Sequence, residues 1–88
     1  MYINLTEIAI MAQENMRKEK EFIAGVKQTM KDLPKTYEGS YLECARYINT
    51  RITIASINAI NNPAYNGCIA LYSAMNDIIL WKATKEKD

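Results

Sequence analysis

Apolar residues recur at alternating intervals of four and three through the first third of the chain: Leu5, Ala9, Ala12, Met16, Ile23, Val26, Met30 and Leu33. One step of the series, Glu19, is charged. This is the spacing of a helix that keeps one stripe against a partner along its whole length. The start is marked as well. Asn4 stands three residues before Glu7, the capping-box spacing in which one side chain accepts a backbone N–H and the other reaches back. Ile3 and Ile8 occupy the positions of a hydrophobic staple. Pro34 supplies the stop, because the residue before a proline avoids helical geometry. These signals predict one helix from about Asn4 to Asp32, on the order of 40 Å long, with Gly25 as its weak point.

The segment from Leu33 to Gly39 reads as a loop, and Ser40 followed by Glu43 is a second capping box. A second helix over about 40–61 follows, with Tyr41, Ala45, Ile48, Ile52, Ala55 and Ala59 on one stripe. Its stretch from Arg51 to Ile57 is β-branched and partly alternating, so a short strand is the competing reading there. Asn62 before Pro63 has the form of an N-cap followed by the first helical position. A third helix is predicted from Pro63 to about Thr84, with stripes through Ala64, Cys68, Leu71, Met75 and Ile78 and through Tyr65, Ile69, Tyr72 and Ile79. Lys82, Lys85 and Lys87 suit the negative end of its dipole. The expected fold is a single all-α domain over residues 1–88, its long first helix (4–32) packed on an antiparallel hairpin of the other two (40–61 and 63–84). Trp81 is expected in the core.

A domain of 88 residues buries only about two-thirds of its unfolded surface and gains much from a staple or a partner. Metal is a poor staple here, since the chain has no His and only two Cys. A Cys44–Cys68 disulfide is open in principle, but both read as small buried apolar residues. No run of about 18 apolar residues is present, and no basic segment leads into an apolar one near the start. The expectation is a cytoplasmic protein with no membrane span and no cofactor. A partner remains, most simply a second copy in a dimer. Ile, Asn, Lys and Tyr make up 34 of the 88 residues; their AT-rich codons are compatible with a phage or mobile-element accessory protein.

The distribution of charge is more informative than its sum of +1. Between Cys44 and Trp81 only Arg46, Arg51 and Asp77 are charged, whereas an ordinary amphipathic helix carries a charged outer face. Two readings account for this. Asn, Ser and Thr solvate the surface by themselves, or these helices are covered on more than one side by the first helix, a second subunit or a target. A membrane hairpin fits poorly, because the uncharged run from Ile52 to Asn76 is broken by Asn residues, a Pro and a Gly.

Candidate binding residues follow from the same region. Glu43, Tyr47, Arg51 and Asn58 fall roughly along one helical face, with Arg46 nearby. Arginine with tyrosine grips phosphates, carboxylates and bases; the plainer reading is a surface strip of no consequence. Met16, Ile23, Val26 and Met30 are the candidate self-association stripe. The mixed run Arg17 to Glu21 reads as a solvated face or a docking strip for a mixed-charge partner. The excess of tyrosine, with Tyr37, Tyr41, Tyr47, Tyr65 and Tyr72, suits an interface. No catalytic constellation is legible: there is no His, no Gly-rich phosphate loop and no carboxylate pair in the uncharged region. The expected function is that of a small non-enzymatic interaction protein, an inhibitor, adaptor or assembly factor that self-associates and binds a protein target. The alternative is a nucleotide or nucleic-acid module built on the second helix, with Arg46 and Arg51 as its cations. Interleaved Lys and Glu make that a poorer fit than a concentrated basic face would.

Overall fold

The computed structural model describes residues 1–14, 16 and 20–86. It is mostly helical, but it is not all-α. A short strand β1 (Tyr2–Asn4) leads into helix α1 (Leu5–Glu14). Helix α2 (Lys20–Asp32), strand β2 (Thr36–Glu38), helix α3 (Tyr41–Asn58) and helix α4 (Tyr65–Glu86) follow. The two strands pair antiparallel, with Tyr2 opposite Glu38, Ile3 opposite Tyr37 and Asn4 opposite Thr36. The expected loop from Leu33 to Gly39 therefore contains a strand.

The single long first helix is corrected to two. α1 ends at Glu14, and Met16 sits at a bend whose N–H donates to the Gln13 carbonyl at 3.2 Å. Glu19 and the run from Arg17 to Lys18 lie outside the described residues. Two physical constraints forbid the straight helix. First, Asn4 pairs with Thr36, whereas a continuous helix would hold the ends of 4–32 on the order of 40 Å apart. Second, the core faces are out of phase. α1 buries Leu5, Ile8, Ala9 and Ala12, while α2 buries Phe22, Gly25 and Thr29. At 3.6 residues per turn these faces differ by about 120°, so one straight rod could not bury both.

Local chemistry closes each element. The Asn4 side chain accepts from the Glu7 N–H at 3.0 Å and caps α1, but the expected return bond from the Glu7 carboxylate to the Asn4 N–H is not made. Lys35 accepts from the N–H groups of Leu5 and Thr6, which ties the start of α1 to the chain leaving α2. Ser40 and Glu43 form a complete capping box, each side chain bonded to the other residue's backbone N–H at 3.1 Å. Gly39 just before it has φ +147, a conformation that side chains disfavour. The stretch 51–57 is helical throughout, so the strand alternative is excluded. Asn62 accepts from Ala64 N–H at 3.1 Å ahead of α4.

α4 is the spine. At 22 residues it is about 33 Å long, nearly the 38 Å length of the whole molecule. It packs against α1, α2 and α3. Its buried residues include Cys68, Leu71, Tyr72, Met75, Ile79 and Ala83. α2 crosses α4 with its backbone almost in contact. A Cβ added at Gly25 would meet the backbone of Gly67 and Cys68 far inside van der Waals distance. Gly25 is thus no weak point but the residue that permits the crossing. Gly25→Ala should gain about 1 kcal/mol of helix propensity yet lose about 1–3 kcal/mol to overpacking against backbone that cannot yield. The net expectation is a lower urea midpoint, with a fall in Tm of several degrees.

Candidate functional site

α3 carries the proposed binding residues, and its two sides differ. The inner side joins a polar knot between three helices. Arg51 is half-buried, and its Nη2 lies 3.6 Å from Asp32 Oδ2 at the end of α2. Gln28 donates to both Asp32 oxygens at 3.1 Å and holds the carboxylate in place. The Tyr72 hydroxyl of α4 sits beside the guanidinium and is the chief influence favouring its charged form. It is nevertheless outside proper hydrogen-bond geometry, as are Arg51 Nε and Thr29 Oγ1. Burial pushes the Tyr72 phenol up, and Arg51 partly offsets that. Beside this knot, Cys68 Sγ donates to the Gly25 carbonyl at 3.3 Å. Tyr47 stacks on Tyr37 of β2, ring centroids 5.4 Å apart. Asn76 donates to Asn49 at 3.1 Å, linking α4 to α3.

Glu43, Tyr47, Arg51 and Asn58 therefore do not act as one exposed strip. Glu43 is the capping carboxylate, and its bonds to Ser40 lower its pKa. Tyr47 and Arg51 turn inward, while Asn58 is exposed at the far end of α3. Arg46 is also exposed. It stands five residues from Arg51, so the two arginines point about 140° apart and do not converge on one ligand.

The outer side of α3 is uncharged from Thr50 to the turn except for half-buried Arg51. Its hydroxyls bond back to their own helix: Thr50 to the Arg46 carbonyl at 3.2 Å, Thr53 to Asn49 at 3.2 Å, and Ser56 to Ile52 at 2.9 Å. Each hydroxyl's donor is thereby satisfied without water or a partner. Among them stand Ile54, Ile57 and, on the turn, Ile60, the last two 62% and 81% exposed.

The candidate self-association stripe divides as well. Met16 and Val26 pack against the chain's own core, whereas Ile23 and Met30 are exposed on α2 between Lys20, Lys27 and Lys31. Trp81 is 58% exposed, not in the core, and Lys85 Nζ lies 5.5 Å from its ring centroid.

A cleft of about 210 Å³ opens at the other end of the molecule. Its walls are β1, the first turns of α1, Tyr41 and Lys82. Sequence reasoning missed it because it missed β1. Both cysteines are free and buried. Among the described residues no cluster of His, Cys, Asp or Glu could hold a metal, and no helix is long and apolar enough to cross a membrane.

No family model matches this chain, no curated protein matches it, and no solved structure matches its fold.

Burial pushes the Cys44 thiol from an ordinary 9.0 up to about 11. The native thiol should therefore resist alkylation in mildly alkaline buffer and react on unfolding. Because the folded pKa lies above the unfolded one, its contribution to stability is full below pH 9.0 and disappears as pH rises to about 11. Urea midpoints measured across that window should fall less steeply in Cys44→Ala.

Proposed function

We propose that this chain is a small non-enzymatic interaction protein of the cytoplasm that self-associates as a dimer and occupies the surface of another protein as inhibitor, adaptor or assembly factor. The observation that carries this reading is the outer face of α3. Three isoleucines are exposed on a surface whose hydroxyls already have partners within the helix. Burying such a face removes apolar area from water, about 25 cal/mol per Å², and leaves no hydroxyl donor stranded. It also lacks charge between Thr53 and Ile60. A two-fold partner brings each group against a copy of itself or its neighbour, so a neutral face meets its copy without like-charge repulsion. The α2 face, with Ile23 and Met30 set among three lysines, lacks that property.

The same size and AT-rich composition fit an accessory protein of a phage or mobile element. Arg46 and Arg51 give the nucleotide reading less support, because they diverge and Arg51 already faces Asp32.

Light scattering coupled to size exclusion tests the dimer. The wild type should run at twice 10.1 kDa. The double variant Ile57→Lys/Ile60→Lys should run as a folded monomer with unchanged helical circular dichroism, its self-association weakened by more than about tenfold. Ile23→Lys should stay dimeric. A monomeric wild type, or a dimer that survives the double substitution, rejects this face. A raised ratio of absorbance at 260 to 280 nm in the purified protein would favour the nucleotide reading instead.

A further inference from the structure

Among the described residues, the pairing of β1 with β2 leaves one edge of the sheet unused. Gly39 N–H donates to the Met1 carbonyl, and Leu5 N–H donates to the Lys35 carbonyl. In an antiparallel ladder hydrogen-bonded and non-hydrogen-bonded pairs alternate. Met1, Ile3 and Leu5 are thus the positions turned toward β2. Tyr2 and Asn4 are opposite Glu38 and Thr36 in the non-bonded pairs, so their N–H groups and the Tyr2 carbonyl point to the far edge. The Asn4 carbonyl is in line with the first turn of α1.

That far edge is where the cleft lies. Tyr2, Ile3 and Asn4 all line it, and no residue of β2 does. Ile8, Met11 and Tyr41 are its apolar lining, of which Met11 alone is not buried, and Glu7 and Lys82 supply one charge of each sign. Tyr2 and Asn4 are exposed, so solvent reaches the edge. At about 210 Å³ the cleft is smaller than the roughly 300–1,000 Å³ that encloses a drug-sized molecule.

We infer that this cleft receives a short extended peptide segment of another protein, which adds to β1 as a third strand. Two N–H donors flanking one carbonyl acceptor, at the two-residue spacing of a strand edge, match the backbone of an extended chain and no rigid small molecule equally well. This is the arrangement by which sheet edges capture peptides, main-chain bonds giving affinity and alternate side chains giving selectivity. The opposed charges of Glu7 and Lys82 favour a segment of low net charge, and Met11 favours a β-branched or aromatic residue facing it. Tyr41 of α3 and Lys82 of α4 also line the cleft. The inference rests on the proposed role as an interaction protein, but it uses a different surface from α3.

A phage-displayed library of random heptapeptides selected on the full chain supplies the probe. Selected peptides should shift the Tyr2 and Asn4 amide resonances and slow their hydrogen exchange by at least about tenfold. N-methylation of the peptide amide that faces β1 should abolish binding, while N-methylation of the next residue, which faces solvent, should leave it intact. The Ile57→Lys/Ile60→Lys variant should bind the same peptides as the wild type, so failure here and failure of the α3 dimer are separate results. A library that returns no binder overturns the inference. So do binders that leave Tyr2 and Asn4 unshifted, and binders indifferent to which amide is methylated.

Discussion

The crossing of α2 over α4 at Gly25 and Gly67 organises most of this chain. Two helices can approach until their backbones nearly touch only where Cβ atoms are missing, and here a Cβ on Gly25 has no room at all. That closeness places Thr29 and Asp32 of α2 beside Cys68 and Tyr72 of α4 and within reach of Arg51 from α3. It also lays α2 along α4, so the chain leaving α2 passes the start of α1. The β1–β2 pairing and the Lys35 bonds to Leu5 and Thr6 follow from that meeting. A three-residue, two-stranded sheet is too small to be stable by itself. It persists because the helices have already brought its strands together.

Much of this was legible residue by residue. The caps at Asn4 and Ser40, the stop at Pro34, the turn at Asn62 and Pro63 and the burial of both cysteines all express local chemistry, and local chemistry is what a sequence displays. The misreadings are long-range. Ile23 and Met30 fit the stripe of Leu5, Ala9 and Ala12 in spacing, yet Phe22, Gly25 and Thr29 are the buried face of α2. A glycine and a threonine do not register as core positions in an apolar pattern. The strands were invisible because three residues give no measurable alternation, and their pairing spans over thirty residues of chain. Trp81 was misplaced because large apolar residues are usually buried, while this one is held at the surface beside Lys85.

The unusual lack of charge on α3 and α4 has two distinct origins. On the stretch of α4 from Tyr65 to Asn76 it reflects burial, since only Asn66 and Ser73 are exposed there; beyond it the helix carries Asp77, Lys82, Lys85 and Glu86. On α3 it does not, because much of the helix is open. There the polarity is internalised, with Thr50, Thr53 and Ser56 donating to carbonyls of their own helix. Sequence alone cannot separate these cases, because Asn, Ser and Thr serve equally on a crowded and on an open helix.

The separation of the two proposed surfaces follows from the same architecture. The isoleucines of α3 cluster toward its C-terminal end and the turn after it. The β1 cleft is lined by Tyr41 at the opposite, N-terminal end of α3 and by Lys82 near the end of α4. Because α3 and α4 run as an antiparallel pair, the two surfaces stand near opposite ends of the long axis. A dimer formed through the α3 face therefore leaves both β1 edges open and directed away from the two-fold. In such a dimer two weak three-bond edges would act as a bivalent binder, the second contact being made at the effective concentration set by the first. Small size and a short strand limit the affinity of one site; dimerisation is the physical route by which such a chain could hold a partner firmly.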